Sequence, residues 1–252
     1  MRVKACFVVT LSFVALCSTA YGAYRALHSS LFFVRVVEVE NEIEGSAPDS
    51  SPVDTQTLLK LAGVPVGTAN LFDLPLGPIE KRLLSHPWVK TVSIHKRFPQ
   101  TLSMMIEYRD PLALVQSQHG ALLYVDRDGA AFDELNLSYH PDLPLLLISP
   151  SDTSHIKEAI GLLKAWDVSP ISKTAQISTL SYDPDKGFRA WVVYGGHERT
   201  AVELGQEIGA DFEAQLSRLT KVFAYLSEKS IAARQIFADS GKKVVVKIAR
   251  GS

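Results

Sequence analysis

Residues 85–111 read SHPWVKTVSIHKRFPQTLSMMIEYRDP, and they contain the helix end and the hairpin around which the first half of the chain is built. Pro87 ends the helix predicted over Pro78–Ser85, because a proline disfavours helical geometry in the residue before it. Apolar and polar residues then alternate on both sides of a turn at Phe98-Pro99-Gln100, which predicts a β-hairpin. Trp88 stands where it can cover the seam between that helix and the hairpin.

Two more elements upstream complete a compact unit. FFVRVVEVE (Phe32–Glu40) alternates and is rich in β-branched residues, so we predict a strand. A short helix is predicted over Thr55–Ala62, with Asp54 as its N-cap and Gly63 as its C-terminal stop. A loop, Gly45–Pro52, precedes it. The resulting order, β-α-α-β-β, predicts two helices on one face of a three-stranded sheet.

Downstream of Pro111 the pattern changes to strands interrupted by two helices. The predicted strands are Leu112–Val115, Leu122–Val125, Pro144–Ser149, Ile177–Ser181, Phe188–Tyr194, Arg199–Leu204 and Lys243–Ile248. The predicted helices are Ser154–Trp166 and a long amphipathic one over Asp211–Ser227. We therefore predict an α+β chain whose second domain is mixed α/β with a mainly antiparallel sheet.

A long apolar run lies at the N-terminus. ACFVVTLSFVALCSTAYGAY (Ala5–Tyr24) has no charged residue, and as a helix it would span about 30 Å, the thickness of a bilayer's hydrocarbon core. Arg2 and Lys4 precede it, so the positive-inside rule keeps residues 1–4 in the cytoplasm and exports the rest. A transmembrane anchor and a signal peptide cleaved near Ala20 both fit this pattern.

Charge and cysteine content exclude several classes of site. Residues 1–25 carry three basic residues and no acid, so the remainder has 23 basic and 27 acidic residues, which argues against a nucleic-acid-binding body. Cys6 and Cys17 are the only cysteines, which excludes a disulfide, a thiolate nucleophile and a cysteine-ligated zinc within the body. The seven histidines show no metal-ligand spacing, and Asp126-Arg127-Asp128-Gly129 is typical of a tight turn. We expect no catalytic set, no metal and no cofactor.

Two features suggest partner binding. The final strand, with Val244, Val245, Val246, Lys247 and Ile248, can accept a partner strand if it lies at a sheet edge, although edge lysines also serve as ordinary protection against aggregation. Alternation on the preceding hairpin puts Arg189 and Trp191 on one side and Phe188, Ala190 and Val192 on the other. One of these two sets must face the long helix, and exposure of the first would give residue types enriched in binding hot spots.

The chain resembles the FtsQ/DivIB family of bacterial cell-division proteins. The resemblance is carried by HPWVKTVSIHKRFPQTLSMMIEYRDPLALV (86–115), by NLFDLP (70–75) upstream and YVDRDGAAF (124–132) downstream, and by the order of the later elements. It implies a cytoplasmic tail over 1–4, a transmembrane helix over 5–24, a POTRA domain over 30–110 and a β domain over 111–249. The anchor is then favoured over the signal peptide.

The resemblance also implies the function and the site. It implies a non-enzymatic divisome scaffold, with one transmembrane pass and a periplasmic body, that concentrates at the division septum. The partners it implies are FtsB/FtsL-like membrane proteins, docked by strand addition at the C-terminal end of the β domain. Ser240 matches the family's turn before the last strand, and Arg189 matches an arginine before the hairpin tryptophan.

Two other functions remain open from the sequence. A POTRA-containing component of outer-membrane assembly or polypeptide transport would carry more POTRA repeats or a C-terminal barrel. A periplasmic enzyme with a signal peptide would need a convergent polar cluster.

Overall fold

The structure, a computed structural model, forms two compact units, Met1–Tyr108 and Arg109–Ser252. The residues it describes are 2–41, 53–136, 142–196, 199–206, 212–238 and 243–248. The predicted domains, 30–110 and 111–249, divide the chain two residues later than the two units do. The predicted loop Gly45–Pro52 lies outside the described residues.

The N-terminal unit begins with a helix, α1, over Arg2–Leu27, which contains the whole of the uncharged run Ala5–Tyr24. Among the residues described, no helix is both long and apolar enough to cross a membrane. The predicted helix is therefore present, but its prediction as a transmembrane segment is not confirmed.

The rest of this unit has the predicted order β-α-α-β-β. Its elements are β1 (Val36–Asn41), α2 (Thr55–Ala62), α3 (Leu76–Leu84), β2 (Val89–Arg97) and β3 (Thr101–Tyr108). Strand β3 lies in the middle of the sheet, parallel to β1 and antiparallel to β2. Trp88 is buried, in agreement with its predicted place in the core.

Side-chain and backbone chemistry explain where α2 ends. Gly63 adopts the left-handed conformation (φ 58°) and its N–H donates to the carbonyl of Leu59, so the glycine ends the helix as predicted. Arg82 of α3 donates from Nε to the carbonyl of Ala62 at 3.2 Å and satisfies one of the last helical acceptors. At the other end, Asp54 occupies the N-cap position, but its carboxylate makes no capping hydrogen bond.

The first strand begins later than predicted. Residues Ser30–Phe32 form a short 3-10 helix instead of the start of β1. The carbonyl of Phe32 accepts a hydrogen bond from the N–H of Leu71 (2.8 Å), and Phe33 forms an isolated bridge with Asn70. These backbone groups are used by the 70–73 loop, so they are not available to the three-stranded sheet.

The C-terminal unit is a nine-stranded sheet. Its strands are β4 (Pro111–Gln116), β5 (Leu122–Asp126), β6 (Ala131–Glu134), β7 (Leu145–Leu147), β8 (Ala175–Asp183), β9 (Gly187–Tyr194), β10 (Thr200–Gly205), β11 (Ala233–Phe237) and β12 (Val245–Ile248). The spatial order is β12-β11-β10-β9-β8-β7-β4-β5-β6. Five of the eight described pairings are antiparallel, which agrees with the mainly antiparallel sheet predicted.

Two helices, α4 (Thr153–Val168) and α5 (Phe212–Glu228), pack on one face of this sheet and form its core. Their rings meet edge to face where Trp166 approaches Phe223, with centroids 6.4 Å apart. Asp152 caps α4 by accepting from the backbone N–H of His155 and from its ring Nδ1. The ring hydrogen bond is the main reason that the pKa of Asp152 is lowered.

A buried ion pair holds the turn between β5 and β6. Asp126 is almost fully buried; its Oδ1 accepts from the N–H groups of Asp128 and Ala130, each at 2.9 Å, and its Oδ2 from Arg109 Nη1 at 2.5 Å. Gly129 has φ 81° and donates its N–H to the carbonyl of Asp126. The predicted tight turn is confirmed, and its aspartate is the residue that organises it.

We expect Asp126→Asn to lower the free energy of unfolding by about 2–3 kcal/mol, less than for a fully buried pair because Arg109 reaches solvent. The control is Asp110→Asn, since Asp110 pairs with Arg127 at the same 2.5 Å distance but both side chains are exposed. An exposed pair is worth about 0–1 kcal/mol. Urea unfolding of both variants checks this, and equal losses would contradict the role given to burial.

Candidate partner-binding site

Strand β12 is the last strand of the nine-stranded sheet. It pairs antiparallel with β11, Val245 opposite Phe237 and Val246 opposite Ile236. Across the part of the chain that the structure describes, no strand pairs with its other side. The backbone N–H and C=O groups along that side point away from the sheet, in the direction from which another strand can add.

The side chains of β12 divide into an anchored set and an exposed set. Val246, and Val244 just before the strand, pack against the core of the unit, and this fixes the strand on the sheet. Val245 is 51% exposed and Ile248 61% exposed. Lys247 holds its Nζ 4.8 Å from the ring centroid of Phe237. Val244 and Val246 thus hold the strand on the sheet, while the side chains of Val245, Lys247 and Ile248 face solvent.

Arg189 and Trp191 lie on the outer face of the sheet, which we define as the face opposite α4 and α5. The alternation predicted for β9 is confirmed, because Phe188, Ala190 and Val192 are buried and belong to the core. Arg189 and Trp191 are half-buried, since the guanidinium carbon lies over the indole at 5.8 Å from its centroid.

A buried carboxylate fixes the position of Arg189. Glu203 of β10, directly opposite in the register, accepts at Oε1 from Arg189 Nε at 2.8 Å and from Gln235 Nε2 of β11 at 3.0 Å. These hydrogen bonds connect β9, β10 and β11 across the outer face. Two donors at one oxygen compensate much of the desolvation of Glu203 and hold the guanidinium in place beside Trp191.

We expect Arg189→Met to destabilise the unit by about 1.5–3 kcal/mol, the worth of a hydrogen bond to a charged group. Glu203→Gln alone removes the charge with little change of shape. A double-mutant cycle measured by urea unfolding should give a coupling of about 1–3 kcal/mol between the two side chains. A coupling near zero would show that Glu203 does not fix the arginine.

The two predicted parts of the site lie on the same sheet but not on neighbouring strands. Strands β10 and β11 lie between β9 and β12, so Arg189 and Trp191 are about 14 Å from β12 at the usual strand spacing. Sequence reasoning missed the residues between them, Glu203, Gln235 and Phe237. Ser240, also predicted in the site, lies outside the described residues.

Over the described ranges, no group of three histidine, cysteine, aspartate or glutamate side chains is arranged to hold a metal ion. What the C-terminal unit offers is a strand edge and a charged, aromatic outer face, both of which suit another protein chain.

Comparison with known proteins agrees with both units. Residues 50–107 match the family described as "POTRA domain, FtsQ-type", and residues 113–241 match "Cell division protein FtsQ/DivIB, C-terminal". The second match covers half of the chain and ends before β12.

Full-length relatives point the same way. The chain is 27% identical to "Cell division protein FtsQ" of Geotalea daltonii, over 90% of this chain and 80% of that one. It is 26% identical to the protein of the same name from Syntrophotalea carbinolica, over 88% of this chain and 76% of that one. For the Rhodothermus marinus protein the identity is 31%, over 66% of this chain and 62% of that one. The chain belongs to the FtsQ/DivIB family of bacterial cell-division proteins.

Proposed function

We propose that this protein is a non-catalytic scaffold of the divisome that docks FtsB/FtsL-like membrane proteins by strand addition at β12. The observation that carries the proposal is the position of β12 at the end of the sheet, with Val244 and Val246 packed against the core and Val245 and Ile248 exposed. An added strand takes its affinity from main-chain hydrogen bonds and its specificity from alternate side chains.

The outer face supports a second point of contact. Arg189 and Trp191 lie about three strand spacings from β12 on the sheet, so a partner that pairs with β12 reaches them only with a further segment laid across β11 and β10. Glu203 holds the arginine before any partner arrives, which lowers the entropy lost on binding. We therefore propose a partner with a strand and an adjoining segment that carries acidic residues.

Membrane attachment completes the proposed mechanism. We propose that Ala5–Tyr24 holds the chain in the inner membrane, with residues 1–4 in the cytoplasm and the body in the periplasm; the support is the uncharged run and the basic residues before it. Partners tethered in the same membrane meet at a raised effective concentration, which favours assembly at the septum. Sequencing the mature N-terminus tests this, because cleavage near Ala20 would remove the anchor.

A pull-down with the periplasmic segment of the same organism's FtsB homologue tests the docking site. Val245→Asp should abolish capture, since it places a desolvated charge at the strand interface. Val168→Asp is the control, because Val168 is a strongly exposed apolar residue at the end of α4, in the same unit. In cells depleted of the native protein, Val168→Asp should restore division and Val245→Asp should leave filaments. Capture by Val245→Asp at the control level would overturn the proposal.

A further inference from the structure

Four apolar side chains of the N-terminal unit form what we call the aromatic patch: Leu31, Phe32, Phe72 and Phe98. The ring centroids of Phe72 and Phe98 are 4.5 Å apart, and those of Phe32 and Phe72 4.9 Å. The rings pack on each other but remain open to water: Phe98 is 51% exposed, Phe72 39%, and the neighbouring Leu31 65%. Such a contiguous exposed apolar surface is typical of a binding surface.

The patch adjoins the C-terminal end of α1. Asn70 donates from Nδ2 to the carbonyl of Leu27, the last residue of that helix, at 2.9 Å. His28 pairs with Asp73 at 3.2 Å. These two contacts fasten the 70–73 loop, which carries Phe72, to the point where the chain leaves α1.

Basic side chains accompany the patch. Lys96, which is half-buried, donates from Nζ to the carbonyl of Phe72 at 3.0 Å. Arg35 follows the 3-10 helix and is exposed, and Arg25 lies in the last turn of α1. The acid of the same loop, Asp73, is engaged by His28. Exposed aromatic rings beside lysine and arginine are the combination that binds at the surface of an anionic bilayer.

We infer that the aromatic patch inserts into the headgroup region of the membrane in which α1 is held. The inference rests on the proposed membrane attachment of Ala5–Tyr24, and it names the lipid surface as the partner of a second site in the N-terminal unit. Apolar side chains bound in this way enter the boundary between headgroups and acyl chains to a depth of about 5–10 Å. With α1 and the patch both engaged, the unit has a fixed orientation on the bilayer, so its height and direction do not depend on α1 alone.

Depth-dependent fluorescence quenching tests the inference on the full chain. With Cys6 and Cys17 replaced by serine, bimane is attached at Phe98→Cys, or at Leu31→Cys, which leaves all three phenylalanines in place. The protein is reconstituted in vesicles of phosphatidylcholine and phosphatidylglycerol with brominated acyl chains. The control is Leu84→Cys, an exposed apolar position at the end of α3, where the chain leads into the start of β2, whereas Phe98 follows the end of that strand, which is about 27 Å long.

We expect emission from positions 98 and 31 to fall about twofold or more, and bromines near the carbonyl end of the acyl chain to quench more than those at mid-chain, given the shallow depth expected. Emission from position 84 should not change. If the protein floats with the vesicles but positions 98 and 31 are quenched no more than position 84, the patch does not enter the bilayer and the anchor stands. If the protein does not float with the vesicles, the proposed attachment fails and the inference falls with it.

Discussion

Replacing Gly187 with alanine should destabilise the C-terminal unit more than the same replacement at Gly196. A Cβ at this position would lie 2.0 Å from the carbonyl oxygen of Gly205 and 2.3 Å from the backbone nitrogen of Gln206. Backbone atoms cannot rotate away as a side chain can, so β9 and β10 would have to separate where they pair. The backbone of Gly187 also has φ 77°, which L side chains rarely adopt.

The expected loss for Gly187→Ala is about 2–5 kcal/mol, from about 1–2 kcal/mol for the left-handed backbone and about 1–3 kcal/mol for the forced shift. Gly196→Ala is the matched control, since Gly196 has φ 73° but nothing within 4 Å of an added Cβ. Gly196→Ala should lower the free energy of unfolding only by the amount due to the left-handed backbone, about 1–2 kcal/mol. Urea unfolding measures both, and equal losses would show that the close approach to Gly205 is not a constraint.

Proline substitution along β12 should separate docking from folding. Neighbouring residues of an antiparallel edge strand direct their N–H groups alternately toward and away from the adjacent strand. Of Val245→Pro and Val246→Pro, one removes a donor to β11 and the other a donor on the free side. The variant that loses the donor on the free side should keep its stability. It should bind the FtsB homologue at least about tenfold more weakly, because it loses a main-chain hydrogen bond and the proline ring blocks close approach of the partner.

The control for the proline pair is Val245→Thr, which keeps the backbone donor and the branched shape. Its affinity for the FtsB homologue should stay close to that of the native protein, because the docking energy comes from the main chain. Affinity is measured by biolayer interferometry and stability by urea unfolding on the same samples. Undiminished affinity in both proline variants would rule out strand addition at β12.

The order of the elements was predictable because the residues that end helices act locally. Pro87 and Gly63 act through their own backbone geometry, so the ends of α3 and α2 follow from single residues. The two later helices, α4 and α5, were placed within two residues at each end, since their apolar faces repeat at helical spacing over four or more turns. Long periodic segments carry enough signal to override local exceptions.

Short strands were missed for an equally physical reason. The segment ARQIF, which forms β11, has only a few residues, a bulge opposite β12 and no flanking turn signal on its N-terminal side. Its place between β10 and β12 depends on pairings with distant residues, and periodicity does not report those. The same applies to β6 (Ala131–Glu134).

The candidate site was predictable in parts but not as a whole. Alternation separated Arg189 and Trp191 from Phe188, Ala190 and Val192 but left open which set meets the helix; the burial of the second set decides it. The partners that hold the arginine come from β10 and from the unrecognised β11, so Glu203 and Gln235 were not predictable from local sequence.

Amide hydrogen exchange over residues 243–248, with and without the FtsB homologue's periplasmic segment, shows whether the partner pairs with the free side of β12. Before binding, the N–H groups on the free side of β12 should exchange quickly, while those bonded to β11 should be protected. We predict that the partner slows the fast set to the rate of the protected set. Saturating binding that leaves the fast set unchanged, with protection appearing elsewhere, would contradict the account.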